Sequence, residues 1–216
     1  MAICCCLFTV YLVMQSIILS RRDLRENDQI ISLYTREQGK VEVLARGVKK
    51  ILSKNSAHLE PGCFVEAEII PGKEISHLGS VQPINIFKNI RGDLSKLLLS
   101  GYALAWLNNL IQPHEKDERL FDLIYQWLGY LDKLSDTEVG SLILDLLVVR
   151  VLAVLGFDIL YDPSVSEKNR KLLQSWLAGK LSKSAMKTEA QNIHQIIWRF
   201  AQHHGEKKLA DWANLV

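Results

Sequence analysis

Hydrophobic and polar positions alternate with a period of two over the first part of the chain and with a helical period over the rest. Ile31, Leu33 and Thr35 alternate with Ser32, Tyr34 and Arg36, and Val41, Val43 and Ala45 alternate with Lys40, Glu42 and Arg46. Successive side chains of a strand point to opposite faces, so this pattern predicts two half-buried strands. Glu37-Gln38-Gly39 lies between them, and its glycine can take the positive φ of a tight hairpin, so the two should pair antiparallel. Val65, Ala67 and Ile69 against Glu66 and Glu68 predict another strand, closed by Pro71-Gly72. A last one runs over 78–87, interrupted by Pro83, and 17–19 supplies the first. Five short strands suit a small closed barrel, because closure removes exposed edges. An OB-like barrel is expected, with the polar, basic segment 47–59 as the insertion between its third and fourth strands; an SH3-like barrel is the alternative.

From Arg91 onward the spacing becomes three and four. Leu94, Leu97, Leu98, Gly101, Leu104, Ala105 and Leu107 predict a long helix to about Leu110, with Asp93 in its first turn, where a carboxylate suits the helix dipole. Pro113 ends it. Leu120, Leu123, Ile124, Trp127, Leu128 and Leu131 predict a second helix that stops before Ser135-Asp136. Asp136 or Thr137 should cap a third, over 139–157, whose nearly uniform apolarity marks it as the buried centre of a bundle, with Gly156 near its end. Shorter helices are expected over 167–177, 189–203 and 206–213. The fold class expected is α+β: an OB-fold barrel over 14–89 and a helical domain over 90–216.

Composition changes this picture little: 48% hydrophobic and 23% charged residues in 216 are those of a globular protein with one ordinary core or two small ones. Three of the four cysteines, Cys4, Cys5 and Cys6, are consecutive, which is poor geometry for disulfides or chelation and fits a reducing compartment. His77, His114, His194, His203 and His204 lie far from any cysteine in sequence, and HExxH and CxxC spacings are absent, so no structural metal is expected and each histidine should be exposed or singly hydrogen-bonded. Residues 1–19 are nearly all apolar. With no basic residue before Arg21 and no A-x-A site they do not suit a secretory signal, and Gln15 and Ser16 interrupt a spanning helix. The reading preferred is a start at Met14, with 1–13 a non-native or disordered extension of a cytoplasmic protein without membrane attachment.

GxSxG, the phosphate-binding P-loop and GxGxxG are all missing, which leaves an enzymatic reading little support. The basic segment says more. Between Arg36 and Lys54 stand six basic residues, Arg36, Lys40, Arg46, Lys49, Lys50 and Lys54, against two acidic ones, Glu37 and Glu42. The formal net charge of the whole chain is only +2, so affinity for nucleic acid must come from position. On one barrel face these residues would form a groove that neutralises phosphates, with Tyr34 beside Arg36 as a surface on which a base could stack. Arg21, Arg22 and Arg25 are rim candidates, because Asp23, Glu26 and Asp28 interleave with them and can pair on the surface.

The run from Ile17-Ile18-Leu19 through Glu26-Asn27-Asp28 to Leu33-Tyr34-Thr35-Arg36-Glu37-Gln38-Gly39-Lys40 resembles the start of RecO proteins, with their opening strand, ExD pair and TLFT-x-x-x-GK hairpin. Ala45-Arg46-Gly47-Val48-Lys49-Lys50, then Ser53-Lys54, is similar to the family's basic loop; Leu59-Glu60-Pro61 and Phe87-Lys88-Asn89-Ile90-Arg91 also fit. The resemblance extends over Ile17 to about Tyr102 and is collinear beyond. It implies an OB-fold domain followed by helices, and a protein that binds single- and double-stranded DNA and anneals complementary strands. It also implies work with RecR, contact with single-strand-binding protein, and indirect help in loading RecA. Carried onto this chain, it points to Arg36, Lys40, Arg46, Lys49, Lys50 and Lys54 as DNA contacts, with no cofactor required. Many family members carry four zinc-binding cysteines after the LGF segment; here Leu155-Gly156-Phe157 is present but 158–216 contains no cysteine. A protein-interaction adaptor acting through an apolar groove of the helical domain, and a hydrolase or transferase whose site assembles only in three dimensions, are the rival readings.

Overall fold

The computed structural model describes residues 11–50, 56–135, 140–180, 183–204 and 211–213. They form two compact units, one of the described residues up to 86 together with 111–117, the other of 87–110 and the described residues from 118 onward.

The first unit is a closed barrel of five strands: β1 (Leu12–Asp23), β2 (Gln29–Thr35), β3 (Gly39–Ala45), β4 (Phe64–Ile70) and β5 (Ser76–Asn85). Their order is β1-β2-β3-β5-β4, with β4 returning to β1. All pairings are antiparallel except β3 with β5, which is parallel through Val43↔Ser76 and Leu44↔His77. This is the five-stranded Greek-key barrel of the OB-fold, not an SH3-like one. Ile18, Ile31, Leu33, Val43, Val65 and Ala67 pack its interior, together with Val48 from the loop after β3. At Pro83 the β4–β5 register slips, which lets a residue without an N–H sit in the strand. β1 begins ahead of Met14, inside the stretch expected to be an extension: Leu12 and Val13 pair with Ile69 and Glu68, and Met14 is buried. Residues 1–10 lie outside the described residues.

The hairpin glycine behaves as its position demands, with φ +70° at Gly39. The outer face of β2 differs from expectation, because Ser32 and Tyr34 are buried as fully as the inward residues. A strap formed by residues 111–117 lies along this part of the barrel. Pro113 bridges to Lys40, the His114 N–H donates to the Lys40 carbonyl at 2.8 Å, and the Tyr34 hydroxyl donates to the Asp117 carbonyl at 3.2 Å. Period-two alternation reports a half-exposed strand only where nothing covers the second face.

The second unit contains α1 (Lys88–Gly92), α2 (Leu94–Leu110), α3 (Glu118–Lys133), α4 (Ser141–Val154), α5 (Glu167–Leu177) and α6 (Lys183–His204). α2 buries Leu104 and Leu107 as its leucine spacing predicts, but its first turns present another face inward. Leu94, Leu97 and Leu98 are exposed, whereas Lys96, Leu99, Ala103, Leu104, Trp106 and Leu107 are buried. Lys96 is tolerated there because its ammonium donates to the Leu134 carbonyl at 2.7 Å. Asp93 is more than a favourable charge near the dipole: its carboxylate accepts the Lys96 N–H at 2.8 Å and so caps the helix.

α4 is the buried centre, as its composition predicts, and Gly156 with φ +94° ends it through hydrogen bonds from Gly156 and Phe157 N–H to Ala153 and Leu152 carbonyls. Its N-cap is Gly140; Asp136 and Thr137 lie outside the described residues. α6 starts six residues ahead of the expected helix over 189–203, and 211–213 are not helical.

One histidine departs from expectation altogether. His194 on α6 is buried and bonded at both nitrogens, Nδ1 3.0 Å from Asp145 Oδ1 and Nε2 2.8 Å from Asp211 Oδ1, while the Trp212 indole N–H donates to Asp145 Oδ1 at 2.8 Å. Both ring nitrogens of this Asp–His–Asp arrangement are thus engaged by carboxylates.

Candidate nucleic-acid interface

Strand register divides the basic run that is continuous in sequence. Thr35 pairs with Gly39 at one end of the β2–β3 hairpin and Gln29 with Ala45 at the other. Six residue steps of about 3.3 Å separate the two ends by roughly 20 Å. Arg36 and Lys40 therefore belong to one end of the barrel, and Arg46, Lys49 and Lys50 to the other.

At the first end the strap engages two of the expected contacts, Tyr34 and Lys40. Tyr34 is fully buried, so the stacking role expected for its ring is closed to it; burial pushes its phenol up to about 12. Lys40 is half-buried and its ammonium donates to the Ile111 carbonyl at 2.9 Å. Arg36 is half-buried, with its backbone N–H on the Gln15 carbonyl.

The second end is richer in cations than the sequence run alone suggests. Antiparallel pairing of Arg21 and Arg22 with Ile31 and Ile30 brings the β1–β2 connection to the same end as 46–50. Arg21 pairs with Glu60 at 2.7 Å, Arg22 with Glu42 at 3.3 Å and Lys49 with Asp23 at 2.9 Å. The Asp23 carboxyl is held below its ordinary value by its hydrogen bond from Gln29, then by Lys49. Exposed, solvent-screened pairs of this kind contribute little, so a phosphate could exchange for the carboxylate at little cost.

Arg25, Arg46 and Lys50 are exposed, and none of the three forms an ion pair among the described residues. With Glu26, Asn27, Asp28 and Gly47 they line an open cleft of about 440 Å³ between the loop 24–28 and the loop 46–50. Lys54 lies outside the described residues. Arg25 is the residue that sequence reasoning undervalued. Strand register brings the loop 24–28 and the segment 46–50 to the same barrel end, whereas local charge counting sees Asp23, Glu26 and Asp28 interleaved with Arg25.

The helical unit has a groove of its own. Leu123, Trp127, Tyr130, Leu146 and Leu147 line an apolar cleft of about 380 Å³ between α3 and α4, with Gln126 and the exposed Arg150 also on its wall. The Trp127 indole N–H donates to the Ile143 carbonyl at 3.1 Å and so fixes one wall. Among the described residues no helix is long and apolar enough to cross a membrane.

An OB-fold barrel with a cationic cleft between two loops, followed by a helical unit, defines an OB-fold protein with an appended helical domain. Residues 11–87 match the family model for the N-terminal part of recombination protein O, and residues 91–171 match that for its C-terminal part. The chain belongs to the RecO family. It is similar to the DNA repair protein RecO of Anaeromyxobacter dehalogenans, strain 2CP-C, at 34% identity over 118 residues, covering 54% of this chain and 46% of that one. The RecO of Geobacter sulfurreducens is 32% identical over 119 residues, 55% of this chain and 49% of the relative. That of Caldicellulosiruptor bescii is 25% identical over 166 residues, 77% of this chain and 67% of the relative. The chain spans about half the length of the first two relatives.

Proposed function

We propose that this chain is a non-enzymatic DNA-binding protein of recombinational repair that holds single strands, binds duplex as well, and pairs complementary strands through phosphate contacts on its barrel. The observation that carries this reading is the meeting of Arg25, Arg46 and Lys50 in one exposed cleft, with Arg21, Arg22 and Lys49 around the same barrel end. Duplex formation brings phosphates together, and a cationic surface lowers that repulsion without covalent chemistry or a cofactor. The relatives are named as DNA repair proteins, which agrees with this reading. Within it, work in the cytoplasm with RecR, contact with single-strand-binding protein and indirect help to RecA remain parts of the proposal.

Anisotropy of a labelled single-stranded oligonucleotide at several salt concentrations tests the reading. The logarithm of affinity should fall with that of salt by about 0.7 per phosphate contacted, and joint change of Arg25, Arg46 and Lys50 to Glu should reduce both affinity and slope. Native protein that does not bind would overturn it. A second reading, an adaptor that binds a protein partner and little DNA, is favoured by the α3–α4 groove, whose apolar walls and Arg150 suit a segment with large apolar side chains beside a carboxylate. Loss of partner binding in Arg150→Glu with DNA binding unchanged would separate the two activities.

A further inference from the structure

Asp28 stands in the cationic cleft, where its charge opposes the binding of a phosphate. Its side chain is committed to the architecture. Oδ1 accepts the Gly47 N–H at 2.8 Å, just beyond the last β2–β3 pair, Gln29↔Ala45. The Asp28 carbonyl accepts the N–H groups of Leu24 at 3.1 Å and Arg25 at 3.4 Å, which folds the loop 24–28 back on itself. Next to it the Lys49 N–H donates to the Asn27 carbonyl at 3.2 Å, and Lys50 N–H to the Gly47 carbonyl at 3.1 Å. Gly47 itself has φ +64°, a conformation that L side chains rarely adopt, and Val48 is anchored in the barrel interior. The carboxylate thus continues the β2–β3 ladder past its end by side chain, and joins the loop bearing Arg25 to the loop bearing Arg46 and Lys50.

We propose that Asp28 is the positioning residue of the phosphate cleft, holding the loops 24–28 and 46–50 together so that Arg25, Arg46 and Lys50 meet the same stretch of nucleic-acid backbone. This rests on the DNA-binding reading above. It accounts for Asp28, one of two carboxylates in a site for anions, the other being the exposed Glu26: the hydrogen bond of Asp28 to Gly47 orders three cations, and its own charge subtracts from their field. Arg25 becomes a DNA-contacting residue on equal terms with Arg46 and Lys50.

The two effects of Asp28 have opposite signs, and substitutions separate them. Asp28→Asn keeps an oxygen acceptor for the Gly47 N–H and removes the charge, so single-strand affinity at low salt should rise about twofold. Asp28→Ala removes charge and acceptor together; it should bind about five- to tenfold more weakly than Asp28→Asn, with a salt slope shallower by about 0.7 for each phosphate that the protein no longer engages. Asp28→Glu keeps the charge and displaces the acceptor, so it should bind more weakly than native protein. Hydrogen exchange at the Gly47 amide should be slow in the native protein and Asp28→Asn, and faster in Asp28→Ala and Asp28→Glu. If Asn and Ala variants gain affinity equally, or Glu leaves affinity and slope unchanged, Asp28 acts through charge alone and the positioning role is overturned. Should Asp28→Ala fail to fold, the Glu and Asn variants decide the matter. Native protein that does not bind the oligonucleotide overturns the DNA reading instead, an outcome distinct from native binding that is indifferent to Asp28.

Discussion

His194 and Asp145 meet inside the helical unit, Nδ1 3.0 Å from Oδ1, with relative exposures of 2% and 0%. The other face of the imidazole meets Asp211, from the short segment that carries Trp212, and the Trp212 ring lies edge-on to the imidazole at 5.2 Å. If both acids are ionised, only a doubly protonated imidazolium satisfies both contacts. His194 thus links α4, α6 and the segment 211–213 through both of its ring nitrogens.

Stability of the helical unit should depend on pH through this link. Burial alone would lower the His194 pKa, but the hydrogen bonds and charge of Asp145, then of Asp211, outweigh it and hold the group above its ordinary 6.5. A base whose folded pKa is raised contributes stability that is complete below its ordinary pKa and is lost as pH rises through the folded value. Burial also raises the Asp145 pKa, which acts in the same direction from its ordinary 3.8 upward. Asp211 is held low, first by the Ala213 N–H and then by His194, so its contribution is lost only as pH falls through its depressed value. The melting temperature of native protein should fall relative to that of His194→Gln as pH rises above about 6.5. A difference between the two that does not change with pH would count against the imidazolium.

His194→Leu should be more severe than a surface substitution, because it leaves Asp145 buried without its main partner. Breaking a buried pair on one side costs about 3–5 kcal/mol, readable by urea unfolding. Joint replacement of His194 and Asp145 by apolar residues should recover part of that loss.

Gly39→Ala should loosen the strap 111–117. A Cβ at this position would lie 2.3 Å from the Glu115 carbonyl oxygen, and φ +70° costs a side chain about 1–2 kcal/mol besides. The His114 amide, which donates to the Lys40 carbonyl, should lose hydrogen-exchange protection in the variant. Retained protection would show that the strap is held from elsewhere.

Tyr34→Leu tests whether this ring meets nucleic acid. The substitution removes a fully buried ring and its hydrogen bond to the Asp117 carbonyl, so stability should fall by about 2–4 kcal/mol. Single-strand affinity, measured where the variant is folded, should stay within about twofold of native. A large loss of affinity without a change of fold would return Tyr34 to the interface.

On α2, Lys96→Met should be costlier than Leu97→Lys, the reverse of what hydrophobicity suggests. The first strands the Leu134 carbonyl and costs about 1–3 kcal/mol, while the second changes an exposed position and should stay within about 0.5 kcal/mol. Equal losses in thermal unfolding would mean that the leucine face is covered in solution.

The barrel and most helices were legible from local pattern. Val41, Val43 and Ala45 alternate because they line a barrel wall, Gly39 stands where the hairpin needs positive φ, and α4 is apolar all round because it is central. The family resemblance was legible too, because it rests on ordered short motifs that need no three-dimensional information. The candidate site was legible only in part: Arg46, Lys49 and Lys50 reach the cationic end, but Tyr34 and Lys40 are engaged by the strap.

By itself, then, the sequence determined the change of period near Arg91, the five strands, the hairpin between β2 and β3, and the membership in a family of OB-fold proteins. Tertiary structure decided which charges stand together. Arg25 and Arg46 are 21 positions apart, and only strand register joins them at one cleft; Tyr34 and Asp117 are 83 apart, and only the return of the chain onto the barrel buries the ring. Asp145, a polar break in an apolar helix, has its partners 49 and 67 positions away. Local spacing encodes which face of an element is apolar. It does not encode what covers that face, because covering is a contact between segments whose separation along the chain carries no periodic signal.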